Sequence, residues 1–93
     1  MRFGGIDIGG TKIEARLFEG TSARTLDVRR VPTPQAGYEP FLEAVAEQVR
    51  WLEAQAGGPL PVGVSLAGVQ DSETGICFAS NIPVTGHALG PDL

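Results

Sequence analysis

Gly5-Ile6-Asp7-Ile8-Gly9-Gly10-Thr11-Lys12 is the stretch that leaves this chain the fewest ways to fold. An apolar segment from Arg2 to Ile8 carries one carboxylate and runs into a glycine turn. Residues 12–18 then alternate, with Lys12, Glu14 and Arg16 on one side and Ile13, Ala15 and Leu17 on the other. That period of two predicts a half-buried antiparallel strand, so the unit is strand–turn–strand. The glycines can adopt positive φ and let a ligand approach the backbone closely. With the Thr11 hydroxyl, the Lys12 cation and the Asp7 carboxylate, the run has the parts of a phosphate-binding turn. It also fits an ordinary glycine hairpin beside a satisfied aspartate, and the run alone does not choose. A P-loop is excluded because the order here is Gly10-Thr11-Lys12 and a helix would have to follow the turn.

A third strand is expected over Thr25 to Val31, at a sheet edge, with Leu26 and Val28 facing inward. Pro32 and Pro34 end it. Residues 38–56 predict a helix whose apolar stripe is Tyr38, Phe41, Leu42, Val45, Val49, Leu52 and Ala56. Glu39, Glu43, Glu47, Gln48, Arg50 and Glu53 fall on its polar side, Trp51 flanks the stripe, and Gly57-Gly58-Pro59 is the stop. Val62 to Leu66 reads as a central, buried parallel strand. Ile76 to Ala79 reads as a short returning strand, 80–91 as irregular, and Asp92 as the cap of a helix whose body lies further on. The order is α/β: β-β-β-α-β followed by a long loop. One helix would leave a sheet face uncovered, so residues 1–93 are expected to be the incomplete N-terminal part of a larger domain.

Composition removes several classes of function. A net charge of −4 with scattered Lys and Arg argues against a nucleic-acid face or a polybasic membrane patch. No apolar stretch has the length of a membrane span, and Met1 leads straight into a strand-like segment, so neither a signal peptide nor a preceding helix-turn-helix is expected. Cys77 is the single cysteine, which suits a reducing cytoplasm, reads as a small buried hydrophobe and, with one histidine, leaves no zinc cluster. Asp71 reads as a solvated turn residue and His87 as a loop residue without a catalytic carboxylate.

A hairpin that grips phosphate resembles the actin-like ATPase (ribonuclease H-like) superfamily. Asp7 to Lys12, Val31-Pro32-Thr33-Pro34, Gly63 to Gly68, Gly75 and Asn81-Ile82-Pro83 fall in the order and spacing of its ROK family, which the chain resembles over nearly all of its length. Its bacterial N-acetylglucosamine kinases and fructokinases are the most similar members. Ala67 departs from the pattern, standing where the family has Pro. The resemblance implies ATP and Mg²⁺ as cofactors, with the stretch Gly5, Ile6, Asp7, Ile8, Gly9, Gly10, Thr11 and Lys12 on the nucleotide side. In that scheme Asp7 holds waters of the metal, Gly9 to Thr11 cradle the β- and γ-phosphates, and Lys12 lends positive potential. Gly68 and Asn81 would contact the sugar. The implied reaction is ATP-dependent phosphorylation of a hexose or N-acetylhexosamine, N-acetylglucosamine foremost, by a full-length protein open to homodimer formation. The family's catalytic aspartate, in an Asn-Asp motif, does not occur in these residues, so the chain alone is expected to be inactive. A sugar-sensing regulator of the same family is the alternative.

Overall fold

The computed structural model describes residues 1–66, 69–70, 73–74, 76–78, 82–83 and 86–93. Four strands form the main sheet: β1 (Arg2–Ile8), β2 (Lys12–Glu19), β3 (Arg24–Pro32) and β4 (Val62–Leu66), in the order β3-β2-β1-β4. β1 pairs antiparallel with β2 and parallel with β4, and β2 pairs antiparallel with β3. Helix α1 (Tyr38–Ala56) connects β3 to β4. Two short strands, β5 (Val69–Gln70) and β6 (Cys77–Phe78), form a separate antiparallel pair, and α2 (Leu89–Asp92) closes the chain. The first two strands and the long helix therefore lie where the sequence predicts them.

Alternation along β1 and β2 makes the core. Ile6, Ile8, Ile13, Ala15 and Leu17 are buried on one sheet face, against Phe41, Val45 and Leu52 of α1. Gly4 lies on that face, and a Cβ there would come within 2.8 Å of Leu52 Cδ1, so its bareness lets the helix approach. Gly57, at φ 81°, ends α1 in the left-handed region, and the Gly58 N–H reaches the Glu53 carbonyl at 2.9 Å. Trp51 packs at the rim of this core and Cys77 is buried in it, as expected.

Four expectations need correction. Gln48 is fully buried rather than on the polar side of α1. Its Nε2 donates to the Ile13 and Arg29 carbonyls, both at 2.9 Å, and its Oε1 accepts from Arg29 Nη1 at 3.1 Å. A glutamine can occupy an apolar stripe when its amide is satisfied in this way. Val28 does not face inward with Leu26. The register shifts between Leu17 and Phe18, so Leu17 faces Asp27 and Phe18 faces Thr25, leaving Leu26 as the extra residue of a bulge. Beyond it the parity inverts: Leu26 packs on the core, while Val28 pairs with Arg16 on the other face. β4 is parallel, as expected, but among the described residues it lies at the sheet edge, with Gly63, Val64 and Ser65 exposed, rather than in the centre. Finally, Asp92 lies within α2 rather than ahead of a helix: its N–H donates to the Ala88 carbonyl at 3.1 Å, and its carboxylate accepts from the Tyr38 hydroxyl at 2.6 Å.

The C-terminal segment is fastened to α1 and the core by other contacts as well. The His87 ring stacks on Tyr38 with centroids 3.8 Å apart. The Cys77 N–H donates to the His87 carbonyl, the Gly86 N–H donates to the Cys77 carbonyl, and Ile82 and Leu89 are buried.

Candidate functional site

The turn between β1 and β2 is where the glycines, Thr11 and Lys12 come together. The Gly9 N–H donates to the Lys12 carbonyl at 2.9 Å, closing a tight hairpin. Three successive turn carbonyls are then taken up by the connector that follows β3. Thr33 Oγ1 donates to the Gly9 carbonyl at 2.7 Å, Gln35 Nε2 to the Gly10 carbonyl at 3.0 Å, and the Thr33 N–H to the Thr11 carbonyl at 3.0 Å. In a trans peptide the C=O and N–H of one linkage point opposite ways, and the described chain has no cis bond. Fixing the Gly9 and Gly10 carbonyls toward the connector therefore turns the Gly10 and Thr11 N–H groups away from it. Two adjacent backbone donors aimed outward are what an anionic oxygen binds.

Asp7 stands beside this turn on the sheet face opposite α1. It is exposed, in register with Glu14 on one side and Ser65 on the other. Gly5, Asp7, Glu14, Arg16, Phe18 and Ser65 line a shallow groove on that face. Glu14 is held by Arg16 Nε at 2.8 Å and Arg30 Nε at 2.5 Å. The Arg16 and Arg30 hydrogen bonds keep its carboxyl below the usual carboxylate range. The side chains of Asp7 and Lys12, by contrast, have no hydrogen-bond or ion-pair partner among the described residues. Near the other end of the molecule burial, then the Asp92 carboxylate, raises the Tyr38 phenol above its ordinary value.

The eight residues of the predicted nucleotide stretch do not all reach one place. Asp7, Gly9, Gly10, Thr11 and Lys12 gather at the carboxyl end of β1. Ile6 and Ile8 turn their side chains into the core, 2% and 0% exposed, and Gly5 lies mid-strand, where a Cβ would meet the Phe18 ring at 3.2 Å. Phe18 stacks on Phe3 at 4.9 Å, so the bareness of Gly5 also serves packing. Gly68 and Asn81, expected at the sugar, lie outside the described residues. Leu66, in register with Ile8, does bring the end of β4 to the same sheet margin as the turn. Thr33 and Gln35 are the participants that sequence reading left out. Two prolines flanking a threonine, Pro32-Thr33-Pro34, were the available signal. Among the described residues no group of three or more His, Cys, Asp or Glu could enclose a metal, and no helix is long and apolar enough to cross a membrane.

The mixed sheet, its flanking helix and the glycine hairpin define an α/β domain of the actin-like ATPase kind, and the comparisons with known proteins agree. A model described as the ROK family matches residues 3–93, and this chain belongs to that family. It is 42% identical over 91 residues to the N-acetyl-D-glucosamine kinase of Escherichia coli O7:K1, covering 96% of this chain and 29% of that protein. The crystal structure of a ROK hexokinase from Thermus thermophilus superposes with a TM-score of 0.85 at 37% identity, covering 100% of this chain and 31% of the other. A ROK family glucokinase from Streptomyces griseus, solved in complex with glucose and AMPPNP, gives a TM-score of 0.80 at 31% identity, covering 99% and 29%. The chain thus spans about three tenths of the length of the relatives it matches.

Proposed function

We propose that residues 1–93 are the N-terminal part of an ATP-dependent sugar kinase, whose full-length form phosphorylates a hexose or N-acetylhexosamine, N-acetylglucosamine foremost. The observation that carries this reading is the β1–β2 turn: its carbonyls are engaged on one side, and its Gly10 and Thr11 N–H groups are free to face a phosphate on the other. Thr11 and Lys12, both exposed, add a hydroxyl and a cation at the same place. Likeness to kinases of N-acetylglucosamine and glucose supports the reaction class, and the identity to the former favours the N-acetylated sugar.

Within this reading each group has a limited task. The backbone donors of Gly10 and Thr11 bind and orient the phosphate chain, with Lys12 adding positive potential. Asp7 suits Mg²⁺ through water, because that ion keeps several of its waters and is satisfied by one or two carboxylates plus phosphate. Asp7 is the groove carboxylate not already neutralised, since Glu14 is committed to its two arginines. When bound, the ion offsets charge on the phosphoryl oxygens. Gly68 and Asn81 are assigned to the sugar, the amide of Asn81 being able both to donate and to accept. The base that takes the hydroxyl proton is assigned to residues beyond this chain.

The test is ADP release by the full-length protein with N-acetylglucosamine, glucose, mannose and fructose in turn. The highest kcat/KM is expected with N-acetylglucosamine, with Asp7→Asn depressing turnover and Asn81→Ala raising the sugar KM. Absence of sugar-dependent ADP release would sink the kinase reading. Equal kcat/KM for glucose and N-acetylglucosamine would sink the sugar assignment.

A further inference from the structure

We infer that Thr33 and Gln35 are positioning residues for the phosphate-binding turn, so that nucleotide affinity is set partly from the connector between β3 and α1. The inference rests on the kinase reading above. Glycines at a turn are conformationally permissive, so Gly9 and Gly10 could by themselves direct their peptide planes in several ways. The connector removes that freedom with three hydrogen bonds to three consecutive carbonyls.

Two simpler explanations of these contacts fail. Thr33 does not serve as a helix cap: the N-cap of α1 is Gly37, which makes no side-chain cap bond. Nor does Gln35 bond to Gly10 in order to satisfy a buried amide, because Gln35 is exposed and water could solvate it. Thr33 is 6% exposed and spends both its hydroxyl and its N–H on the turn. Pro32 fixes its own φ, and Pro34 restricts the residue before it, which is Thr33. The connector is therefore set before any ligand arrives, and it passes that order to Gly10 and Thr11.

The experiment uses the full-length protein, with ATP binding by calorimetry and steady-state KM for both substrates. Thr33→Val keeps the branched shape and removes the hydroxyl. It should raise Kd and KM for ATP about tenfold, the scale expected for slight misplacement of a binding group, while the sugar KM stays within about twofold. Thr33→Ser, which keeps the donor, should restore most of the ATP affinity. Unchanged ATP affinity in Thr33→Val, an equal rise in the sugar KM, or failure of Thr33→Ser to restore binding would overturn the inference. If Thr33→Val does not fold, Gln35→Ala carries the test at an exposed position: about a threefold rise in ATP KM supports the inference, and no change overturns it. If the wild-type protein binds no ATP, the kinase reading falls and takes the inference with it. If the wild type binds and the variants bind equally well, only the inference falls.

Discussion

Replacing Gln48 with leucine should destabilise the fold although it makes the helix stripe more apolar. The side chain is fully buried, and its amide donates to two backbone carbonyls, of Ile13 in β2 and Arg29 in β3. Leaving a buried acceptor without its donor costs about 1–3 kcal/mol, so two of them cost about 2–6. Burying the leucine side chain instead returns about 1.5–3 kcal/mol. Taking the middle of each range, the net loss is about 2 kcal/mol. With a urea m-value of about 1–3 kcal/mol per molar for a chain of this size, the midpoint should fall by roughly 1 M. Equilibrium urea unfolding followed by Trp51 emission measures this, Trp51 being the single tryptophan and packed at the core rim. An unchanged m would place the loss in the folded state. Arg29→Met, which removes only the guanidinium contact to Gln48 at 3.1 Å, should cost less, about 1 kcal/mol. A Gln48→Leu variant as stable as the wild type, or less harmed than Arg29→Met, would refute the reasoning that the carbonyls need that amide.

Other perturbations test separate parts of the structure. Gly4→Ala places a Cβ 2.8 Å from Leu52 Cδ1, so the Leu52 side chain must shift within the core; the cost should be about 1 kcal/mol, visible as a lowered melting temperature. Glu14 has a depressed carboxyl through Arg16 and Arg30, so its contribution is present above its unfolded pKa and lost as pH falls through the folded value. Glu14→Gln should accordingly flatten the acid limb of a stability-versus-pH curve, and an unaltered limb would rule that carboxylate out as a cause. Tyr38→Phe removes the 2.6 Å bond to Asp92 but keeps the ring on His87. It should speed amide exchange at Asp92 and Leu93, whose N–H groups donate to the Ala88 and Leu89 carbonyls, while leaving the helix amides of residues 45–52 protected.

An apolar run located β1, alternation located β2, and the glycine pair located the turn, because all three signals are local. The period of α1 placed Phe41, Val45 and Leu52 correctly and misassigned Gln48, since polarity alone does not reveal that two sheet carbonyls await an amide. Val28 was misplaced because one extra residue at Leu26 inverts everything after it, and nothing in Thr25-Leu26-Asp27 announces a bulge. β4 looked central because its residues are apolar. Among the described residues, however, its outer edge pairs with nothing, and Val64 is 44% exposed. At the site, the turn residues were legible from their types. The contributions of Thr33 and Gln35 were not, since they lie more than twenty residues from the carbonyls they hold.

The connector from Thr33 to Tyr38 also bears on how such a chain can change length. Surface loops ordinarily absorb insertions and deletions at little cost. Here one end of a six-residue segment holds the glycine turn through Thr33 and Gln35, and the other holds the C-terminal segment through Tyr38, His87 and Asp92. Adding or removing a single residue between them would shift one set of contacts relative to the other. Length variation should therefore be accepted between β2 and β3, at residues 20–23, and rejected in this connector. A designer grafting the domain or splitting the chain would do well to leave residues 33–38 at their present length.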